Sequence, residues 1–199
     1  MAPTEDSKSP FLRIPWTASL LQDPGLITWN PGSRLPKRTG EDSLFATTLS
    51  TPLTINSCVS VYKHPQPTDA HIEEVTTFFT LGTGMDGHPG ILHGGIVASL
   101  LDEGMGILQA VNYERALGMK EGEGASSVLG SFTAFLNIRY LQPVRTSRAA
   151  VVVARFRRRE GRKDWIDAEV RQCESGEDGA VVICARAEAL FVVPRAKKL

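Results

Sequence analysis

The most distinctive hydrophobic pattern of the chain lies between Gly95 and Leu117. Apolar side chains recur there every three or four residues, and others extend the apolar surface around most of a helical cylinder. The first set is Ile96, Leu100, Met105, Leu108 and Val111, and the second is Val97, Leu101 and Ile107. A helix that is apolar on nearly every side has to be buried on nearly every side. The pattern therefore predicts one long central helix.

Runs of β-branched and aromatic residues predict about six strands around this helix. Two runs precede it and four follow it, at residues 53–63, 71–82, 131–144, 148–159, 163–174 and 179–193. The polar connections between the last four runs suit β-hairpins. An apolar helix enclosed by a highly curved antiparallel sheet, with one face of the sheet in water, satisfies this order of elements. The predicted fold class is α+β.

Residues 1–50 have a different character from the rest. They are rich in Pro, Ser, Thr and Gly, which predicts an irregular arm with one helical turn near residues 18–22. We therefore expect an N-terminal arm, 1–50, and one globular domain, 51–199. The Gly- and Ser-rich stretch 118–127 after the helix predicts a flexible loop.

Composition and charge narrow the range of partners. Apolar residues make up 42% of the 199 residues, which is enough for a packed core. Basic and acidic residues number 22 each, so the chain has no net positive charge that would attract nucleic acid or an anionic membrane. No apolar run reaches the length of about 18 residues that a membrane span needs. We expect neither a nucleic-acid partner nor a membrane span.

Three features bear on the cellular compartment. Cys58, Cys173 and Cys184 are odd in number and widely spaced, which favours reduced thiols in an intracellular protein. The N-terminus carries acids and lacks the apolar core of a secretory signal. The C-terminal tripeptide Lys-Lys-Leu resembles the peroxisomal Ser-Lys-Leu ending only loosely. We expect a cytoplasmic protein, with the mitochondrion and the peroxisome left open.

The segment leading into the central helix carries the candidate chemistry. It reads PGILHGGIVASLLDE, from Pro89 to Glu103, and is followed by TAFLNIRYLQPV and REGRKDWIDAEV. These motifs resemble the hotdog-fold acyl-CoA thioesterases, in the phenylacetate-degradation and thioesterase-superfamily-member branch. The resemblance covers residues 80–193 and is most specific in the His-Gly-Gly motif with an acid nine residues after the histidine. It implies a hotdog fold, a homodimer or a dimer of dimers, and hydrolysis of acyl-CoA in lipid metabolism, with CoA as part of the substrate and no cofactor.

The resemblance also assigns roles to individual residues. Asp102 matches the helix acid that activates water or attacks the acyl carbon, and Thr133 matches the hydroxyl that holds the water. Gly94 matches the backbone donor after the histidine, and His93 is expected to fix the turn through its ring nitrogens. Many relatives carry Asn or Gln shortly before the motif to bond the thioester carbonyl, and His88 stands in that region here.

The residues themselves support such chemistry. Gly94 and Gly95 begin the helix, so their N–H groups lack helical acceptors and lie at the positive end of the helix dipole, which suits an oxyanion. Asp102 lies on a mostly buried helix, where an acid must find partners or work as a base. Gly94 and Asp102 are roughly 12 Å apart along a helix, so one carbonyl cannot contact both within one chain. We therefore predict a site assembled from two chains.

Three further residues of this helix receive structural interpretations. Glu103 lies about 100° around the helix from Asp102, so both cannot point at one substrate, and we expect a structural or interfacial role for Glu103. Gly104 and Gly106 are unfavourable inside a helix. They predict close helix packing at the dimer seam.

A cluster of five basic residues between positions 157 and 163 straddles a predicted hairpin turn. Arg158, Arg162 and Lys163 are candidates for binding the phosphates of CoA, since guanidinium forks match phosphate oxygens. The alternative reading is a solvated turn. No His, Asp and Glu cluster has the spacing of a metal site, and no Gly-x-Ser-x-Gly motif indicates a serine hydrolase.

Two other functions stay open at this point. An acyl-thioester dehydratase or hydratase of the same fold would use a histidine ahead of the helix and an acid on it, here His88 and Asp102. A non-catalytic acyl-CoA-binding module would keep the fold without turnover. The sequence does not identify the acyl group, and the N-terminal arm is a candidate cap for a tunnel beside the helix.

Overall fold

The structure is a computed structural model that describes residues 7–118, 130–176 and 178–195. Most of the loop expected after the central helix, and the C-terminal tripeptide, lie outside these residues. The described helices are α1 (Ser9–Leu12), α2 (Pro15–Leu21) and α3 (Gly94–Ala116). The strands are β1 (Leu26–Trp29), β2 (Cys58–Lys63), β3 (Glu74–Leu81), β4 (Asp86–His88), β5 (Ile91–Leu92), β6 (Phe132–Tyr140), β7 (Arg148–Glu160), β8 (Lys163–Cys173) and β9 (Val181–Val192).

The predicted central helix is confirmed as α3, which begins and ends one residue earlier than expected. Leu100, Leu101, Met105 and Leu108 on this helix are fully buried. Each such side chain contributes about 1.5–3 kcal/mol through the apolar surface it removes from water. Hydrophobic burial therefore holds α3 in place.

The main sheet encloses α3 as predicted. Its strands follow the order β1-β2-β3-β7-β8-β9-β6, and all neighbours are antiparallel. The six predicted strands are confirmed, and β1 adds a seventh among the described residues. This helix and curved sheet form the predicted α+β hotdog fold. Strand β6 lies at one edge of the sheet, which matters for the site.

The N-terminal segment is more regular than the predicted irregular arm. Helices α1 and α2 pack Phe11, Trp16 and Leu21 against the outer face of β2, β3 and β7, so this face is covered where we expected it to be wet. The continuous apolar run from Ala149 to Ala154 in β7 is typical of a strand buried on both faces. How the chain divides into independently folding units stays a prediction.

Two further expectations concern burial and membranes. Cys173 and Cys184 are buried, as predicted, and Cys58 is half-buried. Within the described ranges, no helix combines the length and the apolar character needed to cross a membrane.

Candidate active site

His93 builds the turn into α3. Its backbone amide donates to the Met85 carbonyl at 2.9 Å. Its Nδ1 accepts a hydrogen bond from the Gly95 amide at 2.9 Å, so His93 is the N-cap of the helix. When Nδ1 accepts, Nε2 carries the proton of the neutral ring. The Gly95 amide is therefore engaged, which differs from the expectation that both glycine amides are unpaired.

The Gly94 amide is the remaining donor at the start of α3. No acceptor within residues 7–118, 130–176 and 178–195 bonds to it, since the first N–H groups of a helix have no intrahelical partner. The Gly94 carbonyl accepts from the Tyr140 hydroxyl at 3.0 Å, which ties the helix start to β6. Gly94 is exposed, so its amide is available to a ligand or to another chain.

Asp102 and Thr133 are brought together. The Thr133 hydroxyl donates to Asp102 Oδ1 at 2.7 Å, which joins α3 to the edge strand β6. Asp102 belongs to an open stripe of α3, formed by the half-buried residues Ser99, Asp102, Gly106 and Gln109. Gly94 begins the same helix and lies roughly 12 Å away along its axis. One chain therefore keeps the Gly94 amide and the Asp102 carboxylate apart.

A cavity of about 570 Å³ lies next to the stripe of α3 that carries Asp102; its lining includes Glu103 and Gly106 but neither Asp102 nor Thr133. This volume is typical of small-molecule sites. Its lining includes three consecutive cross-strand partners of the sheet: Arg159 pairs with Asp164, and Asp164 pairs with Phe191. The next partner in this row is Thr133, which pairs with Phe191. Cross-strand partners project from the same face, so the row leads from the cavity to Thr133. Other lining residues are Glu103, Gly106 and Gln109 from α3, and Ser33, Lys37 and Asp42 from the N-terminal segment.

Glu103 holds the N-terminal segment against α3, because the Ser33 hydroxyl donates to its Oε1. Burial raises the pKa of Glu103 to about 7, and the Asp42 and Asp102 carboxylates add to the rise. The Ser33 hydrogen bond and the Arg34 guanidinium act in the opposite direction. A substantial share of Glu103 is therefore protonated near neutral pH.

His88 is exposed on the β4–β5 hairpin. The Asp86 carboxylate holds this hairpin, since it accepts from the Gly90 amide at 2.9 Å and from the Thr146 hydroxyl at 2.6 Å. Among the described residues, the His88 ring has no hydrogen bond or ion pair. The structure of one chain does not join His88 to Asp102, whose hydroxyl partner is Thr133.

Two of the candidate CoA-binding residues already contact the protein. The Arg158 guanidinium stacks 3.8 Å from the centre of the Trp165 ring. Arg162 donates to the Val193 carbonyl. Both side chains are therefore held in place at the rim of the β7–β8 hairpin.

Lys163 lies closer to the Asp102–Thr133 pair than sequence distance suggests. Lys163 pairs with Val192, and Val192 pairs with Phe132 on its other side. Lys163 and Phe132, the residue before Thr133, are therefore two strand spacings apart, which is about 10 Å. The basic hairpin tip and the candidate catalytic pair lie at the same end of the sheet.

The two glycines within α3 have different surroundings. A Cβ atom at Gly104 would lie 2.6 Å from Val152 Cγ1, so Gly104 allows α3 to approach β7 within the same chain. The expectation that Gly104 packs at a dimer seam is wrong. A Cβ atom at Gly106 would meet no atom within 4 Å among the described residues, so Gly106 borders open space.

Sequence reasoning missed two contributions to the site. The hydrogen bond from Tyr140 to Gly94 was not predicted, because it depends on a contact between distant segments. The part played by Ser33 and Lys37 in lining the cavity was also missed, although an arm that caps a tunnel was considered. Within the described ranges, no group of three His, Cys, Asp or Glu side chains could hold a metal ion.

Comparisons with known sequences give distant relatives. No family model matches the chain. It is 26% identical over 117 residues to an uncharacterized protein of Schizosaccharomyces pombe, over 59% of this chain and 58% of that protein. It is 27% identical over 136 residues to Verlamelin biosynthesis protein B of Lecanicillium sp, over 57% of each. The chain spans somewhat more than half the length of these curated relatives.

Comparisons with solved structures give partial likenesses. A thioesterase superfamily protein has a TM-score of 0.49 and 25% identity, covering 68% of this chain and 53% of that chain. The PaaI protein of the E. coli phenylacetic acid degradation operon has a TM-score of 0.48 and 14% identity, covering 63% and 76%. A hypothetical thioesterase of Streptococcus pneumoniae, solved with coenzyme A, has a TM-score of 0.47 and 13% identity, covering 63% and 85%. The solved structures to which the chain is similar include proteins of the thioesterase superfamily.

Proposed function

We propose that the chain is an acyl-CoA thioesterase, which hydrolyses an acyl-CoA to a free acid and CoA. The observation that carries this proposal is the hydrogen bond from Thr133 to Asp102 at the open stripe of α3. This bond engages one carboxylate oxygen, and the other has no hydrogen-bond partner in the described parts of the chain, so it is available to a water molecule. Together with the resemblance of the His-Gly-Gly motif, it favours hydrolysis.

The proposed reaction uses water, the thioester and two protein groups. Water attacks the carbonyl carbon while Asp102 takes its proton, and a Gly94 amide donates to the oxygen that becomes negative. When the carbonyl re-forms, the carbon–sulfur bond breaks and the CoA thiolate takes the proton from Asp102. Direct attack by Asp102, followed by hydrolysis of the resulting anhydride, would use the same groups.

The distance between Gly94 and Asp102 on one helix requires a second chain in this proposal. The edge strand β6 suits this role, since it spans nine residues and exposes Phe132 and Phe135. A long edge strand offers unpaired backbone groups to another strand. Pairing of β6 with its copy would bring two α3 helices together in antiparallel orientation, with the Gly94 of one chain near the Asp102 of the other.

The CoA portion has a candidate contact at the β7–β8 hairpin. Lys163 is exposed at its tip, and Arg158 and Arg162 present cations at its rim. Phosphate groups of CoA are anions that such side chains bind. We include these three residues in the proposal as the CoA-binding group.

The substitution Asp102→Asn tests the proposal. It removes the base and keeps the shape, so we expect the rate of thiol release from acyl-CoA to fall by a factor of about a hundred or more. Binding of a non-hydrolysable thioether analogue, measured by calorimetry, should change little. Hydrolysis by this variant at the wild-type rate would contradict the proposed role.

His88→Ala separates the thioesterase from the alternatives. We expect the variant to keep hydrolysing acyl-CoA, because the His88 ring has no bonded partner among the described residues. Loss of all activity, together with water addition to an enoyl thioester by the wild type, would favour a hydratase. Wild-type protein that binds the esters without releasing thiol would favour a binding module.

A further inference from the structure

The cavity beside Asp102 has features that indicate which acyl group it accepts. Its lining ends one strand from the candidate catalytic pair, at Phe191, which is the cross-strand partner of Thr133. Along α3 the lining includes Gly106, one turn after Asp102. Apart from the backbone of α3 itself, no described atom lies within 4 Å of a Cβ placed at Gly106, so the surface of α3 is open at this position.

The walls of the cavity contain hydrogen-bond donors without acceptors. The Nε2 of Gln109 is buried and has no partner among the described residues, while its Oε1 accepts from the Ser131 hydroxyl. Arg159 binds Asp164 through its Nε at 2.9 Å. No described acceptor bonds to the two terminal nitrogens of Arg159. Buried polar groups are normally paired, so the Gln109 amide points to a ligand that carries an oxygen acceptor. The Arg159 side chain is 45% exposed, so its terminal nitrogens are also open to water.

The same cavity also offers apolar surface and more acidic than basic side chains. Apolar and aromatic residues in the lining are Trp29, Ile107, Ala110, Tyr113, Phe191 and Val193. Five carboxyl groups line it against three Lys or Arg side chains; the carboxyl groups are Glu41, Asp42, Glu103, Glu114 and Asp164. A carbon chain is therefore accommodated. A terminal carboxylate would face four carboxylates, besides the partly protonated Glu103, against three Lys or Arg cations.

We propose that this cavity selects an uncharged acyl chain that carries a hydroxyl or keto oxygen, over a plain alkyl chain and over one ending in a carboxylate. The inference rests on the proposed thioesterase function. A plain chain would leave the buried donor of Gln109 without an acceptor, and it would cover the donors of Arg159 without replacing their access to water. Gly106 is the opening through which the chain leaves the carbonyl at Asp102.

A matched set of CoA esters tests the substrate class. The set contains dodecanoyl-CoA, isomeric hydroxydodecanoyl-CoA esters with the hydroxyl moved along the chain, and the ester of the same length that ends in a carboxylate. We expect at least one hydroxy ester to have a kcat/KM about tenfold above both others, the effect of one good hydrogen bond. Highest kcat/KM for the plain or the carboxylate ester would overturn the inference.

Two substitutions test which residues of the cavity produce the preference among the esters. Gln109→Leu has a similar size and lacks the amide donor, so we expect the preference for the hydroxy ester over the plain ester to fall. Gly106→Leu narrows the passage, so kcat/KM for all dodecanoyl esters should fall relative to acetyl-CoA, and Gly106→Ala should have a smaller effect. Ser99→Ala serves as the control, because Ser99 belongs to the same stripe of α3 but does not line the cavity. Unchanged ratios in both Leu variants, with normal thermal unfolding, would contradict the assignment.

The two proposals fail in different ways. If no ester releases thiol, or if Asp102→Asn retains the wild-type rate, the thioesterase proposal has failed. If all the esters are hydrolysed in a manner that depends on Asp102, but the hydroxy esters are not preferred, the substrate inference alone has failed.

Discussion

At the scale of single residues, the start of α3 shows how one side chain gives two similar backbone amides different roles, because it accepts a hydrogen bond from only one of them. Gly94 and Gly95 were equivalent candidates in the sequence, but His93 Nδ1 takes the Gly95 amide. The choice depends on the rotamer of His93, which no sequence pattern specifies. The resemblance assigned Asp102 as the helix acid and Thr133 as the hydroxyl that holds the water, and the structure joins the two side chains by a hydrogen bond of 2.7 Å. Their catalytic roles stay predictions.

The two glycines inside α3 give a residue-scale prediction about stability. Gly104→Ala places a carbon 2.6 Å from Val152 Cγ1, so we expect a loss of about 1–3 kcal/mol in the free energy of unfolding. Gly106→Ala meets no described atom within 4 Å and removes the helix penalty of glycine, so a gain of up to about 1 kcal/mol is expected. Urea unfolding of both variants measures the difference. Equal effects of the two substitutions would show that Gly104 is not required for close approach of α3 to β7.

At the scale of elements, helices and strands with strong periodicity were predictable and short elements were not. The spacing of apolar residues identified α3 to within one residue at each end. The four-residue strand β1 escaped detection because, among the described strands, it pairs with β2 alone, and pairing between distant segments leaves no local pattern. Coverage of the outer face by α1 and α2 was missed for the same reason.

The edge strand β6 gives an element-scale prediction about assembly. Phe135 is 49% exposed on this edge, so Phe135→Glu would place two like charges near each other if β6 pairs with its copy. We expect this variant to dissociate at concentrations where the wild type is dimeric, as measured by analytical ultracentrifugation. Leu35→Glu is the matched control, since Leu35 is 61% exposed outside the sheet. Dissociation in both variants, or in neither, would argue against β6 as the seam.

At the scale of the whole molecule, the proposed site needs parts from two chains. The Gly94 amide and the Asp102 carboxylate lie on one helix, at a separation that one thioester carbonyl cannot bridge. The helix length that causes this separation was predictable from the sequence. The cavity was not, because segments from the N-terminal region, α3 and four strands surround it.

The Gly94 amide can be removed with little disturbance to the fold. Gly94 is the first residue of α3, a position that tolerates proline, and His93 has φ −59° and ψ 134°, which suit a residue before proline. Gly94→Pro therefore deletes the N–H group while the helix is retained. Gly94→Ala keeps the N–H group, and its Cβ would lie 3.7 Å from the Tyr140 ring. We expect hydrolysis to fall far more in the proline variant than in the alanine variant.

Mixed dimers of Asp102→Asn and Gly94→Pro chains test the two-chain site. Each variant alone should be nearly inactive. In the mixed dimer, one site combines the intact Gly94 of one chain with the intact Asp102 of the other, so purified mixed dimers should recover about half of the wild-type rate of thiol release. If each site were built within one chain, both sites of the mixed dimer would lack an essential group. A mixed dimer as inactive as its parents would therefore contradict catalysis shared between chains.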